Sequence, residues 1–217
     1  MDCITEMGRR GKAAAAILAG SSSAVRNAAL LAMRDALRTS PDTVLAANAI
    51  DLQNAAANKM PPSLQDRLRL TPARLDGMIR AIDEVRGEAD PLGEVRGGGT
   101  RPNGLRISRV SVPLGVVAVI FEARPNVASD AAALCVKSGN AVILRGGKEA
   151  IESNKAIVNL LRGAVVAAGL PADSIQLVED TARESAQALM KANGLVDVLI
   201  PRGGAGLIRA VVEYASV

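Results

Sequence analysis

The chain has 217 residues, 49% hydrophobic but only 1% aromatic, so a core of useful size must be built from Ala, Val, Leu and Ile. It has no histidine and only two cysteines, Cys3 and Cys135, which excludes Ser-His-Asp and Cys-His pairs, His-ligated or tetrathiolate zinc, and a disulfide framework. The net charge of +4 suits an anionic small ligand, whereas a nucleic-acid partner is not expected without stacking rings or a dense basic run.

No apolar run approaches the ~18 residues of a membrane span and no signal-peptide pattern opens the chain, so a cytoplasmic protein without a membrane partner is expected. Residues 1–90 read as helices. Ser40-Pro41 and Thr71-Pro72 each set a capping side chain before a proline at the first helical position. Leu30, Met33 and Leu37 form one apolar stripe, and Leu75, Met78, Ile79 and Ile82 form another. Asn48, Asp51 and Gln53 interrupt an alanine-rich helix and read as a solvated face, and residues 58–63 read as a turn. The expected use of this stretch is a helical layer covering another part of the molecule.

Residues 91–112 change character. Glycines and prolines break helix there, and Leu105, Ile107 and Val110 alternate with Arg106, Ser108 and Arg109, which predicts an extended ribbon with basic residues on one side. Its unpaired edges would suit a subunit contact.

From Pro113 the period switches to strand-helix alternation. Strands are predicted at 116–123, 141–145, 175–178 and 196–200, with helices at 127–138, 149–168, about 182–192 and from 204. Short connections and doubly buried apolar runs predict an α/β fold, a parallel sheet with helices on both faces. Ligands of such sheets bind beyond the carboxyl ends of the strands. Three loops fall there: Glu122 to Asn126, Arg145 to Glu149, and Pro201 to Gly206. The last two place glycines at a helix N-terminus beside cations, an arrangement that favours a phosphorylated ligand, although glycine turns also simply join strands to helices. Neither matches the dinucleotide fingerprint or a P-loop.

The segment "VPLGVVAVIFEARPNVASDAAALCVKSGNAVILRGGKEA", with "VLAANAIDL" and "DRLRLTPARLDGMIRAIDEVRGEADPLGEV" before it and "AGLPADSIQLVED" and "VDVLIPRGGAGLI" after it, resembles the gamma-glutamyl phosphate reductases of the aldehyde dehydrogenase superfamily. The resemblance implies an aldehyde-dehydrogenase-like fold, with residues 113–217 as a Rossmann-like NADP-binding part and the whole chain as an amino-terminal portion lacking the catalytic domain. It implies NADPH-dependent reduction of L-glutamyl 5-phosphate to L-glutamate 5-semialdehyde in proline biosynthesis, through a cysteine thioester, in an enzyme that forms homo-oligomers. Asn126 takes the place of the oxyanion donor, with an ordinary helix N-cap as the alternative. Arg145, Gly146, Gly147 and Lys148 fall at the adenine ribose, where Arg145 and Lys148 would meet a 2′-phosphate; a solvated first-turn lysine is the alternative for Lys148. Pro201, Arg202, Gly203 and Gly204 fall under the nicotinamide half.

No metal is implied. Cys135 lies in a helical run with Ala131 and Leu134, near an end read as exposed at Lys137 and Ser138, and is expected to be a small core residue rather than the nucleophile. The resemblance places the nucleophile downstream of "PRGGAGLI", beyond Val217. A non-catalytic nucleotide-binding or oligomerisation module with the same fold stays open beside the enzyme.

Overall fold

A computed structural model describes residues 3–217. Its centre is a four-stranded parallel sheet made of β3 (Val116–Phe121), β4 (Ala141–Arg145), β5 (Ile175–Leu177) and β6 (Val198–Arg202), in the order β5-β4-β3-β6. Every residue of β3 is buried, as a β-branched run covered on both faces must be. The fourth strand begins two residues later than the sequence pattern suggests and takes in Pro201. Pro201 pairs in register with Ile120 of β3 near the end of the strand.

Helices α6 (Asn126–Lys137) and α7 (Ile151–Ala167) pack together on one face. Above them lie α2 (Ser23–Thr39), α3 (Pro41–Ala57) and α5 (Pro72–Gly87), with the short α4 (Pro62–Leu68) beside α3. The first helix, α1 (Cys3–Ala19), packs on β3, β4 and β5 and touches α8 (Arg183–Met190). Of the expected helical layer, α1 thus packs directly on the strands, while α2, α3 and α5 pack over α6 and α7. The last helix, α9 (Ala205–Tyr214), follows β6 directly. Strands β1 (Val95–Thr100) and β2 (Arg106–Val110) pair antiparallel in a separate ribbon whose residues are exposed on both sides, so its basic residues do not segregate to one side against a covered face.

Thr71 caps α5 by accepting from the Arg74 N–H at 3.2 Å, but Ser40 makes no side-chain cap for α3. The larger correction concerns Asn48 and Asp51. Both are buried, at 1% exposure, rather than solvated. Asp51 accepts from the Glu152 N–H at 3.2 Å, the Ser153 N–H at 2.8 Å and the Ser153 hydroxyl at 2.6 Å, and so caps the start of α7 from another helix. The Asn48 amide donates to the Leu68 carbonyl and to Ser153 Oγ while accepting from the Leu70 N–H, which joins α3, the end of α4 and α7.

Candidate functional site at the carboxyl edge of the sheet

The chain runs from β3 to β4 to β5 in one direction, and β6 then returns to the other side of β3. The direction of winding therefore reverses between β3 and β6. In open parallel sheets the crevice beyond the strands at such a reversal is where ligands bind. The structure has a cleft of about 320 Å³ there, lined by Glu122 and Arg124 from the β3 loop, Arg202, Gly203 and Gly204 from the β6 loop, and Arg67 from α4.

Two further clefts share residues with it. One of about 500 Å³ contains Asn126 and Asp130 with Arg67, Arg69, Arg74 and Arg124. The other, about 720 Å³, contains Arg145, Gly147 and Lys148 together with Glu122, Thr181, Arg183 and Gln187. Most of the residues singled out from the sequence thus reach one continuous edge. Gly146 and Pro201 lie behind it. A Cβ on Gly146 would fall 2.2 Å from the Asn154 amide nitrogen and 3.1 Å from the Phe121 ring, so glycine is required for packing there rather than for ligand approach.

Asn126 is the first residue of α6, not its cap; Pro125 precedes the helix and offers no capping side chain. The Asn126 amide nitrogen donates to Asp130 Oδ2 at 3.0 Å. Only the NH₂ end of the amide can donate to a carboxylate, so this bond sets the amide's orientation and leaves its second hydrogen for a ligand. Burial raises the pKa of the Asp130 carboxyl, opposed by the hydrogen bond from Asn126 and the charge of Arg202. The i, i+4 spacing of Asn126 and Asp130 on a helix was the available signal for this partner.

The helix N-termini beside the glycine loops are not open to an outside anion in the expected way. Asp51 occupies that of α7. Glu122 occupies that of α9, where its Oε2 accepts from the Gly204 N–H at 3.0 Å. A Cβ on Gly203 would lie 2.6 Å from the Glu122 carboxyl carbon, so glycine at 203 is what admits that side chain.

Arg145 acts as a clasp. Its guanidinium donates to the carbonyls of Gly146 at 3.2 Å, Thr181 at 2.8 Å and Ala182 at 3.0 Å, and desolvation lowers its pKa against the charges of Asp180 and Glu149. Lys148 is exposed and makes no hydrogen bond or ion pair with the described residues. Arg183, at the start of α8, is exposed and unpaired in the same way. Its loop, between β5 and α8, is a fourth connection at the carboxyl edge that the sequence reading passed over.

Cys135 lies in the core at 8% exposure, and burial pushes its thiol up to about 12, so almost no thiolate exists near neutral pH. The helix end beside it is not exposed at Lys137. That side chain is buried, its ammonium donating to Asn27 Oδ1 and the Arg86 carbonyl at 2.9 Å each, while Leu134 is the exposed neighbour. Neither cysteine lines any of the three clefts. Native protein should therefore release about one equivalent of thiol to a disulfide reagent, from exposed Cys3, and a second only on unfolding. Cys135→Ala should lower stability by roughly 1–2 kcal/mol, read from the urea midpoint at constant slope, with a loss of several kcal/mol contrary to this packing role.

Comparison with known proteins places this architecture. The aldehyde dehydrogenase family profile matches residues 8–216. The chain belongs to the aldehyde dehydrogenase family. Within the family it is similar to gamma-glutamyl phosphate reductases: 52% identical over 210 residues to that of Moorella thermoacetica and 54% over 211 residues to that of Desulfitobacterium hafniense, covering 97% of this chain and 50% of each relative. It superposes on the crystal structure of the Thermotoga maritima gamma-glutamyl phosphate reductase with a TM-score of 0.97 at 38% identity, covering 100% of this chain and 52% of the other. An acetylating aldehyde dehydrogenase of Geobacillus thermoglucosidasius, at 18% identity and a TM-score of 0.73 over 97% of this chain and 44% of that one, shares the fold. The chain spans about half the length of the curated relatives it matches. Among the described residues, no helix is long and apolar enough to cross a membrane and no group of three or more His, Cys, Asp or Glu residues is placed to hold a metal ion.

Proposed function

We propose that this aldehyde dehydrogenase family chain is the cofactor-holding part of a gamma-glutamyl phosphate reductase, reducing L-glutamyl 5-phosphate with NADPH to L-glutamate 5-semialdehyde and phosphate in proline biosynthesis. The observation that carries the reading is the Asn126 amide, oriented by Asp130 at the crevice where the sheet reverses. An acyl group at that crevice would develop negative charge on its carbonyl oxygen as a nucleophile adds, and a fixed N–H donor stabilises that charge by about 3–4 kcal/mol. The attacking thiolate comes from neither cysteine of this chain, since Cys135 is buried and protonated and Cys3 lies against Met7 in a cavity apart from Asn126.

We assign the dinucleotide to the 720 Å³ cleft. Its size is in the range of small-molecule sites, and it presents Lys148 and Arg183, unpaired among the described residues, beside Glu122 and Glu149. Bound there, the nicotinamide cofactor supplies the hydride. Arg145, the clasp of the Thr181–Ala182 loop, shapes the cleft floor and contributes less to phosphate recognition than the sequence suggests. The assignment of NADPH then rests on Lys148. Lys148→Ala should weaken NADPH binding about tenfold and leave NADH binding nearly unchanged, measured by quenching of nicotinamide fluorescence. Equal affinity of the unaltered protein for NADH and NADPH would contradict the assignment.

The β1–β2 ribbon exposes Val95, Ile107 and Val110 away from the sheet. It supports the reading of a homo-oligomer, with copies of the chain meeting through this ribbon. A cytoplasmic location accords with the proposed biosynthetic role.

A further inference from the structure

Five arginines and three carboxylates line the two clefts on the Asn126 side of the sheet. All three carboxylates are engaged. Asp66 pairs with Arg74 through both oxygens at 3.1 Å, Asp130 accepts from Asn126, and Glu122 accepts from the Gly204 N–H. Of the other four arginines, Arg202 already leans electrostatically on Asp130, and Arg69 lines one cleft only. Arg67 and Arg124 remain. Both are exposed, neither has an ion pair or side-chain hydrogen bond among the described residues, and both line both clefts.

Among the described residues neither guanidinium has a counter-ion, and both face the same two clefts. Arg67 sits in the last turn of α4, beside the Leu68 and Leu70 segment that Asn48 holds through backbone bonds. Arg124 sits in the loop that leads into Asn126, its N–H donating to the Glu122 carbonyl at 2.7 Å and its carbonyl accepting from Val127. A helix end and a loop thus deliver planar, fork-shaped donors to one mouth. That is the chemistry of carboxylate and phosphate recognition.

We propose that Arg67 and Arg124 form an anion-recognition pair for the substrate, holding a carboxylate or phosphate group while the acyl carbon lies at Asn126. This rests on the reductase reading for the identity of the substrate, but the anion pair itself does not. With L-glutamyl 5-phosphate the held group is either the α-carboxylate or the transferred phosphate, and the reverse reaction separates the two because phosphate and semialdehyde enter as different substrates.

The test uses the protein carried to the full length of its relatives, with Arg67→Ala, Arg124→Ala and Arg67→Lys. The expected result is a KM for one of the two anionic substrates raised about ten- to a hundred-fold by each alanine, a kcat changed far less, an unchanged KM for NADP⁺, and partial rescue in Arg67→Lys. A rise for phosphate assigns the pair to the phosphate, and a rise for semialdehyde assigns it to the carboxylate. Unchanged KM values for both, or a rise for NADP⁺ alone, would overturn the proposal.

Should the unaltered protein show no phosphate-dependent turnover, the reductase reading fails and the pair is still read directly. Phenylglyoxal modification of Arg67 and Arg124, mapped by mass spectrometry, should be slowed by inorganic phosphate or glutamate and not by equal ionic strength of chloride. Equal modification under all conditions would then dismiss the pair as well.

Discussion

Asn126→Ala is expected to lower kcat about 10²–10³-fold in the protein carried to the length of its relatives, with a much smaller change in KM for NADP⁺. The amide is placed by the start of α6 and held by Asp130 at 3.0 Å; in the proposed role it would act in the transition state, where charge grows on the acyl oxygen. Asn126→Asp replaces the donor with a carboxylate beside Asp130 and should be at least as damaging. Asp130→Ala frees the amide to rotate, and should reproduce part of the Asn126→Ala loss without removing the amide itself. Circular dichroism and the urea midpoint separate these effects from unfolding. Activity in Asn126→Ala within a fewfold of the unaltered protein would remove Asn126 from the chemistry.

Asp51→Ala should be the most destabilising single substitution on the α3–α7 contact, by about 3 kcal/mol. It strips three hydrogen bonds from one buried oxygen pair and leaves two N–H groups of the first turn of α7 without a partner. That is a large share of the ~5–15 kcal/mol by which domains are usually stable. Burial raises the pKa of the Asp51 carboxyl, with the bonds from Ser153 opposing it. The sign follows from that direction: folding favours the protonated form, so this group's contribution is fullest below the ordinary carboxylate range and diminishes as the pH rises through the raised pKa. Asp51→Asn keeps one acceptor, should cost less than the alanine, and should flatten that part of the pH dependence. A stability change under 0.5 kcal/mol for Asp51→Ala would show that the cap contributes nothing.

Asp51 also marks where sequence reading reached its limit. Helix α3 is alanine-rich, with no clear apolar stripe, so nothing local separates a solvated Asp from one whose partner lies a hundred residues on. The strands behaved differently. Residues 141–145 form β4 as their continuous apolar run predicts, and β3 and β5 each end within two residues of prediction, because full burial on both faces leaves a compositional trace. The end of β6 was placed at 200 because Pro201 argues against carrying a strand through it, whereas the strand runs to Arg202.

The site divided in the same way. Arg145, Lys148, Gly203 and Asn126 were legible as residues at strand ends, since strand-helix alternation alone puts them at one edge. Their partners were not. Glu122 on the Gly204 N–H, the Thr181 and Ala182 carbonyls on Arg145, and Arg67 arriving from a short helix all depend on tertiary approach. The stretch read only as a covering helical layer supplied much of the lining.

The most direct measurement is the reverse reaction, reduction of NADP⁺ by glutamate 5-semialdehyde, followed by absorbance with and without phosphate. A chain carried to the length of its relatives should give a strictly phosphate-dependent signal that Cys135→Ala leaves intact. The 217 residues alone should give none, because Cys135 is buried with its thiol pushed up to about 12 and Cys3 lies away from Asn126. Robust phosphate-dependent turnover by the 217-residue chain, abolished by Cys135→Ala, would contradict both the placement of the nucleophile and the cofactor-holding role proposed for these residues.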